Sequence, residues 1–207
     1  MRFFQYRVAL LTVCVPVAVA LSGCGSPTPV AEAPTTTPAP GAAPALSQVE
    51  HGHMLVIGGG CHDCHTPKKL GPNGPEADMI LLLSGHPERA GVPQPFKTPK
   101  GSPYTTHTND DLTAWSGAWG VSFAANLTPD MNTGLGIWTE DMFLKALKQG
   151  KHMGAGRQIL PPMPWNWYGQ LSDDDLKAMF AYLKSIPAIA NRVPVPLTPD
   201  GKPVEQP

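Results

Sequence analysis

Apolar residues recur at helical spacing in three parts of this chain, and each is opened by a recognisable cap. The first begins at Ser47-Gln48-Val49-Glu50, the S-x-x-E pattern in which the Ser and Glu side chains satisfy each other's backbone amides. It runs through Met54, Leu55 and Val56 and stops at Gly58-Gly59-Gly60. In the second, Thr139 is the cap, Glu140 and Asp141 form an acidic first turn, and Met142, Phe143, Ala146 and Leu147 make one apolar stripe ending at Gly150. The third opens at Ser172-Asp173-Asp174-Asp175, places Leu176, Met179, Phe180 and Leu183 on one face, and ends before Pro187. No stretch alternates convincingly with period two, so the expected fold is mainly α.

The segments between these helices differ in character. Residues 66–120 are long and punctuated by Pro and Gly, and loops of that length inside a compact domain are usually functional or hide short elements. Met79 to Leu83 is expected to make a brief helix or buried turn, with Trp115 and Trp119 folding the insertion onto the core. Residues 24–45 are Pro, Ala, Thr and Gly with almost no large apolar side chain, the composition of a disordered tether. Residues 193–207 are again proline-rich and are expected to wrap the surface or fray. One folded domain, 46–192, remains.

The amino terminus reads as an export signal over 1–23: Arg2 and Arg7, an apolar run from Val8 to Leu21, then Leu21-Ser22-Gly23-Cys24. Leu-Ser-Gly-Cys resembles a bacterial lipobox, which makes Cys24 a lipidated first residue of a mature, membrane-anchored protein on the periplasmic side. An ordinary signal peptide cut elsewhere would instead leave Cys24 as a free exported thiol. With 15 Lys+Arg against 16 Asp+Glu the formal net charge is -1, without the basic footprint that nucleic-acid binding needs.

The chemistry concentrates in Cys61-His62-Asp63-Cys64-His65. C-x-x-C-H is the attachment signal of a c-type haem, in which both thiols add to the vinyl groups and the adjacent imidazole ligates iron. A thioredoxin-like pair would need a βαβ setting, and a structural zinc site a second pair of ligands; neither pattern is present. Cys14 leaves with the leader, Cys24 takes lipid, and Cys61 and Cys64 hold the macrocycle, so none of the 4 cysteines remains for a structural disulfide. A cofactor bound only by the folded state supplies stability in its place.

The second axial ligand decides the function, because a Met/His pair gives an electron carrier and an open iron binds small ligands. Met163, in Leu160-Pro161-Pro162-Met163-Pro164-Trp165, sits on a proline-stiffened loop suited to presenting one side chain. Loop chemistry alone leaves it equally well as core filler. Met153 and His152, on the run from Gly150 to Gly156, are its rivals. Met54, Met142 and Met179 lie on helical stripes and are expected in the core, whereas His51, His53, His86 and His107 have no motif context.

Taken together, Gly59-Gly60-Cys61-His62-Asp63-Cys64-His65-Thr66-Pro67, the run Asn126 to Trp138, and Pro162-Met163-Pro164-Trp165 with Leu171 to Leu176 resemble the bacterial class I cytochromes c. The likeness is to single-haem domains of dehydrogenase-linked cytochrome subunits, here with a long loop-rich insertion. It implies one covalent haem c on Cys61 and Cys64, with His65 and Met163 as axial ligands. It implies propionate contacts from Asn126 and Thr128 and pocket walls from Trp138 or Trp165. It also implies that the first and third helices cross with Gly52 against an aromatic such as Tyr182. The activity implied is electron transport between redox protein partners rather than bond chemistry. A haem enzyme or ligand sensor with an open distal site, or an obligate subunit of a periplasmic dehydrogenase, are the alternatives.

Overall fold

The computed structural model describes residues 45–205. The expected leader 1–23, Cys24 and the tether up to residue 44 lie outside the described residues, as do the last two positions of the tail. Among the described residues there are five α-helices: α1 (Gln48–Gly58), α2 (Cys61–His65), α3 (Glu140–Gln149), α4 (Trp165–Tyr168) and α5 (Asp173–Ser185).

The three long helices start where their caps demand. Ser47 accepts from the Glu50 amide while the Glu50 carboxylate accepts from the Ser47 amide at 2.8 Å, closing the reciprocal box. Thr139 accepts from the Met142 amide, and Ser172 from the Asp175 amide. Gly150 ends α3 in the left-handed conformation (φ 67°), where a Cβ would meet the Trp165 ring and the Gln158 amide at 2.5 Å.

The helices bury one face each. Val56 of α1, Phe143 and Leu147 of α3, and Leu176, Met179, Phe180 and Leu183 of α5 join Leu83 and Leu135 in a single core. Helices α1 and α5 cross at Gly52, where a Cβ would stand 1.8 Å from the Ala178 carbonyl oxygen. The small residue therefore faces backbone; Tyr182, the aromatic expected there, stacks instead on His53 with ring centroids 4.7 Å apart. Met54 is 60% exposed, so it is not part of the core its helical position suggested, whereas Met179 is.

The insertion holds strands that the apolar pattern did not announce. β1 (Lys68–Gly71) and β2 (Gly74–Ala77) form a hairpin, and β3 (His107–Thr108), β4 (Ala114–Gly117) and β5 (Gly120–Phe123) an antiparallel three-stranded sheet. The β1–β2 hairpin lies on the surface, so no face had to be apolar, and only the turn residues Gly71-Pro72-Asn73-Gly74 marked it. Met79 and Ile80 form an exposed 3-10 turn, and Leu83 is the residue that turn delivers to the core.

The proline-rich tail is not loose. Leu197 exchanges two 2.9 Å backbone hydrogen bonds with Val121 of β5 and is buried, so residues 193–205 complete the packing around the sheet. Among the described residues no helix is long and apolar enough to cross a membrane.

The α1–α5 crossing yields a sharp expectation. Gly52→Ala should lower unfolding stability by about 3 kcal/mol, the upper end of the overpacking range, because backbone and not a flexible side chain must yield. An unfolding free energy from urea titration within about 0.5 kcal/mol of the parent would show that the helices separate freely.

Candidate haem site

Gly60 (φ 67°) turns the chain out of α1 directly into the five-residue helix α2, which is the Cys61–His65 motif itself. So short a helix leaves most of its carbonyls without intrahelical partners. Lys68 supplies donors from β1: its ammonium bonds the carbonyls of His62 at 3.3 Å, Thr66 at 2.8 Å and also Asp63. The fully buried Thr66 hydroxyl accepts from the Leu83 amide at 3.0 Å, and the His65 carbonyl accepts from Gly85 at 2.8 Å. The insertion thus fixes the motif from behind.

His65 is oriented by one bond. Its Nδ1 lies 2.7 Å from the Ala125 carbonyl, and since a carbonyl only accepts, Nδ1 carries the proton. The remaining lone pair belongs to Nε2. Burial holds the imidazole's pKa below its ordinary value, so the ring is a neutral donor. Both motif thiols are free and half-buried; burial pushes Cys61 up to about 11 and raises Cys64 as well. Neutral thiols of this kind are poor thiolate nucleophiles or zinc ligands in their own right.

Cys61, Cys64 and His65 lie on the wall of a cavity of about 670 Å³, within the range of cofactor sites. Leu127, Leu135, Phe143, Leu147, Met179 and Leu183 make its apolar floor, and Met163 lines it too. A slot of this size, apolar inside, with a neutral imidazole, two thiols and a thioether on its wall, fits a haem covalently held by the two cysteines.

Met163 stands on a braced loop. Ser122 of β5 donates to the Pro161 carbonyl, and Trp119 donates to the Ser122 hydroxyl at 3.2 Å. On the far side, the Tyr168 hydroxyl of α4 donates to the Gly59 carbonyl at the start of the haem motif. The loop is therefore tied to the insertion and to the α1–α2 junction.

The other expected pocket residues divide. Trp138 lines the cavity and meets the His152 ring edge-on at 5.3 Å. Trp165 is not on the cavity wall; its ring covers Gly150. Asn126 lines the cavity, but its amide donates to Ile189 at 2.8 Å and Thr133 at 3.2 Å, and its oxygen accepts both the amide and the hydroxyl of Thr128. Thr128 is fully buried, is not on the wall, and accepts from the Ile189 amide at 3.0 Å. Their polar groups join the 126–133 segment to the chain after α5.

Wall residues that the sequence reading did not name include Ala125, whose carbonyl orients His65, and Tyr168, Arg157 and Arg192. Only position relative to Met163 could have drawn attention to Arg157 and Tyr168. Of the rival axial candidates, His152 is on the wall and Met153 is not.

No protein-family model matches the chain. The fructose dehydrogenase cytochrome subunit of Gluconobacter japonicus is 31% identical over 147 residues, which are 71% of this chain and 22% of that protein. The gluconate 2-dehydrogenase cytochrome c subunit of Pantoea cypripedii is 31% identical over 134 residues, 65% of this chain and 22% of the relative. The cytochrome c subunit of the quinone alcohol dehydrogenase of Gluconobacter oxydans (strain 621H) is 40% identical over 63 residues, 30% of this chain and 13% of the relative. The chain is homologous to cytochrome c subunits of dehydrogenases. It spans at most 22% of the length of these three relatives.

The Tyr168 latch can be tested without touching the cavity's ligating groups. Tyr168→Phe should cost about 1–3 kcal/mol of stability, since it leaves the Gly59 carbonyl without its partner. Denaturant unfolding that coincides with the parent curve would mean that the bond contributes nothing.

Proposed function

We propose that this chain is an exported, one-electron carrier with a single covalently attached haem c on a class I cytochrome c fold. The reading rests chiefly on one observation: the residues of Cys61-x-x-Cys64-His65 and Met163, far apart in sequence, line one apolar cavity. Bound haem supplies a one-electron iron couple. Cys61 and Cys64 would hold it by thioether bonds, and His65 through Nε2 and the Met163 thioether would be its protein ligands.

The chain's own groups set the character of that couple. The Ala125 carbonyl fixes the His65 tautomer and makes the imidazole a better donor. A Met163 thioether ligand would favour the reduced state and raise the potential. With both ligands in place the metal would be closed to substrates, as a carrier requires and an enzyme or sensor does not. The apolar floor excludes water, so little solvent reorganises when an electron arrives or leaves.

The relatives' names support a role beside a dehydrogenase, receiving electrons from its catalytic subunit and passing them to a further redox protein. Lipidation at Cys24 and the tether that follows would hold the domain at a membrane on the periplasmic side, with reach to such a partner.

Met163→Ala should retain attached haem yet bind carbon monoxide rapidly when reduced, with the parent excluding it. A variant that excludes carbon monoxide as well as the parent would reject Met163 as the ligand. His65→Ala should lose normal ligation altogether; recovery of parent-like, low-spin holoprotein from it would contradict the role given to the haem motif.

A further inference from the structure

Arg157 carries a charge that the protein leaves without a counter-ion. Its guanidinium is on the cavity wall and more than half withdrawn from water. One nitrogen, Nη1, donates to the Gln158 carbonyl at 3.2 Å, whereas Nε–H is buried and has no partner. None of the ion pairs among the described residues includes Arg157. A buried N–H without an acceptor costs about 1–3 kcal/mol, and a buried charge without an opposite charge costs more. Burial draws the guanidinium's pKa down, the direction expected for a cation lacking compensation.

The loop that carries it is rigid. The His152 amide donates to the Arg157 carbonyl at 2.9 Å, Lys151 bridges Gln158, and the Ile159 amide donates to the Gly150 carbonyl at 2.7 Å. The backbone at Arg157 is therefore held, and beyond the Nη1 bond to Gln158 the guanidinium keeps Nε and the second Nη as a parallel pair of donors. That fork matches a carboxylate in bidentate geometry. The donors expected to meet such a group, Asn126 and Thr128, are committed to Ile189 and to each other.

We propose that Arg157 anchors a carboxylate of the cavity's occupant through Nε–H and Nη–H, a haem propionate on the reading given above, on which this inference rests. The salt bridge would keep that carboxylate ionised and set a positive charge on the cavity wall. The other charged or titratable wall residues are Asp63, His152, Tyr168 and Arg192, beside the attachment residues and His65. Arg192 is exposed, so its field is screened by solvent. His152 is the group whose titration could mimic the effect, because Arg157 also acts on it.

The test uses the full chain matured with haem, as parent, Arg157→Gln, Arg157→Lys and Arg192→Gln, each also in a His152→Gln background. Covalent haem content and midpoint potential from pH 5 to 9 are measured for all. Arg157→Gln should retain haem but lower the reduced-to-oxidised ratio at a fixed poise about three- to tenfold, one charge interaction across a protein interior. It should also gain a pH-dependent step, since an unpaired buried propionate binds a proton more tightly and takes it up on reduction. That step should persist without His152. Arg157→Lys, which keeps the charge and loses the fork, should restore part of the ratio, and Arg192→Gln should change little. A haem-loaded Arg157→Gln with the parent's potential and pH profile would overturn the anchor while leaving the haem reading intact. A step that vanishes with His152, or an Arg192 effect equal to that of Arg157, would overturn it too. A parent chain without attached haem would instead remove the reading beneath it.

Discussion

The hydrogen bond from His65 to the Ala125 carbonyl joins segments 60 residues apart, and the rest of the cavity is arranged around it. It fixes the proton on Nδ1 and leaves Nε2 as the ring's only lone pair. For the bond to hold, Ala125 must be fixed as firmly as His65. The chain meets that requirement through the Leu127 amide bonded to the Leu83 carbonyl and the Asn126 side chain bonded to the segment after α5. The two ends of the domain are thereby made to meet at the proposed metal position.

This explains what the long insertion does structurally. A motif five residues long cannot satisfy its own carbonyls, so Lys68 and Gly85 do so from the insertion. A proline-rich loop lacks amide donors to pin itself, so Ser122 and Tyr168 reach its carbonyl and its neighbourhood from outside. The sheet formed by β3, β4 and β5 then serves as a brace between the Met163 loop and the tail at Leu197.

The three long helices were legible in the sequence because each signal is local, whereas the short α2 and α4 were not. Ser47 with Glu50, Thr139, and Ser172 with Asp175 lie within one turn of the backbone groups they satisfy, and all three caps stand where the pattern placed them. The strands were not legible, because the β1–β2 hairpin is solvated and the others are only two to four residues long. The site divides the same way. The haem motif is contiguous and was read directly, whereas the proline flanks left Met163 level with core filler and only the family resemblance set it as the axial partner. The burial of Thr128, the displacement of Trp165 onto Gly150 and the bare Nε of Arg157 depend on long-range packing, for which no local pattern exists.

The central claim is that Cys61, Cys64, His65 and Met163 together enclose one haem iron on both faces. The absorption spectrum of the matured full chain, oxidised and then reduced with carbon monoxide added last, tests it most directly. Sharp low-spin bands, a thioether-to-iron charge-transfer band in the oxidised form and indifference to carbon monoxide are the predicted result. A high-spin spectrum that shifts at once with carbon monoxide would contradict the account, because it would mean that one face of the iron is open.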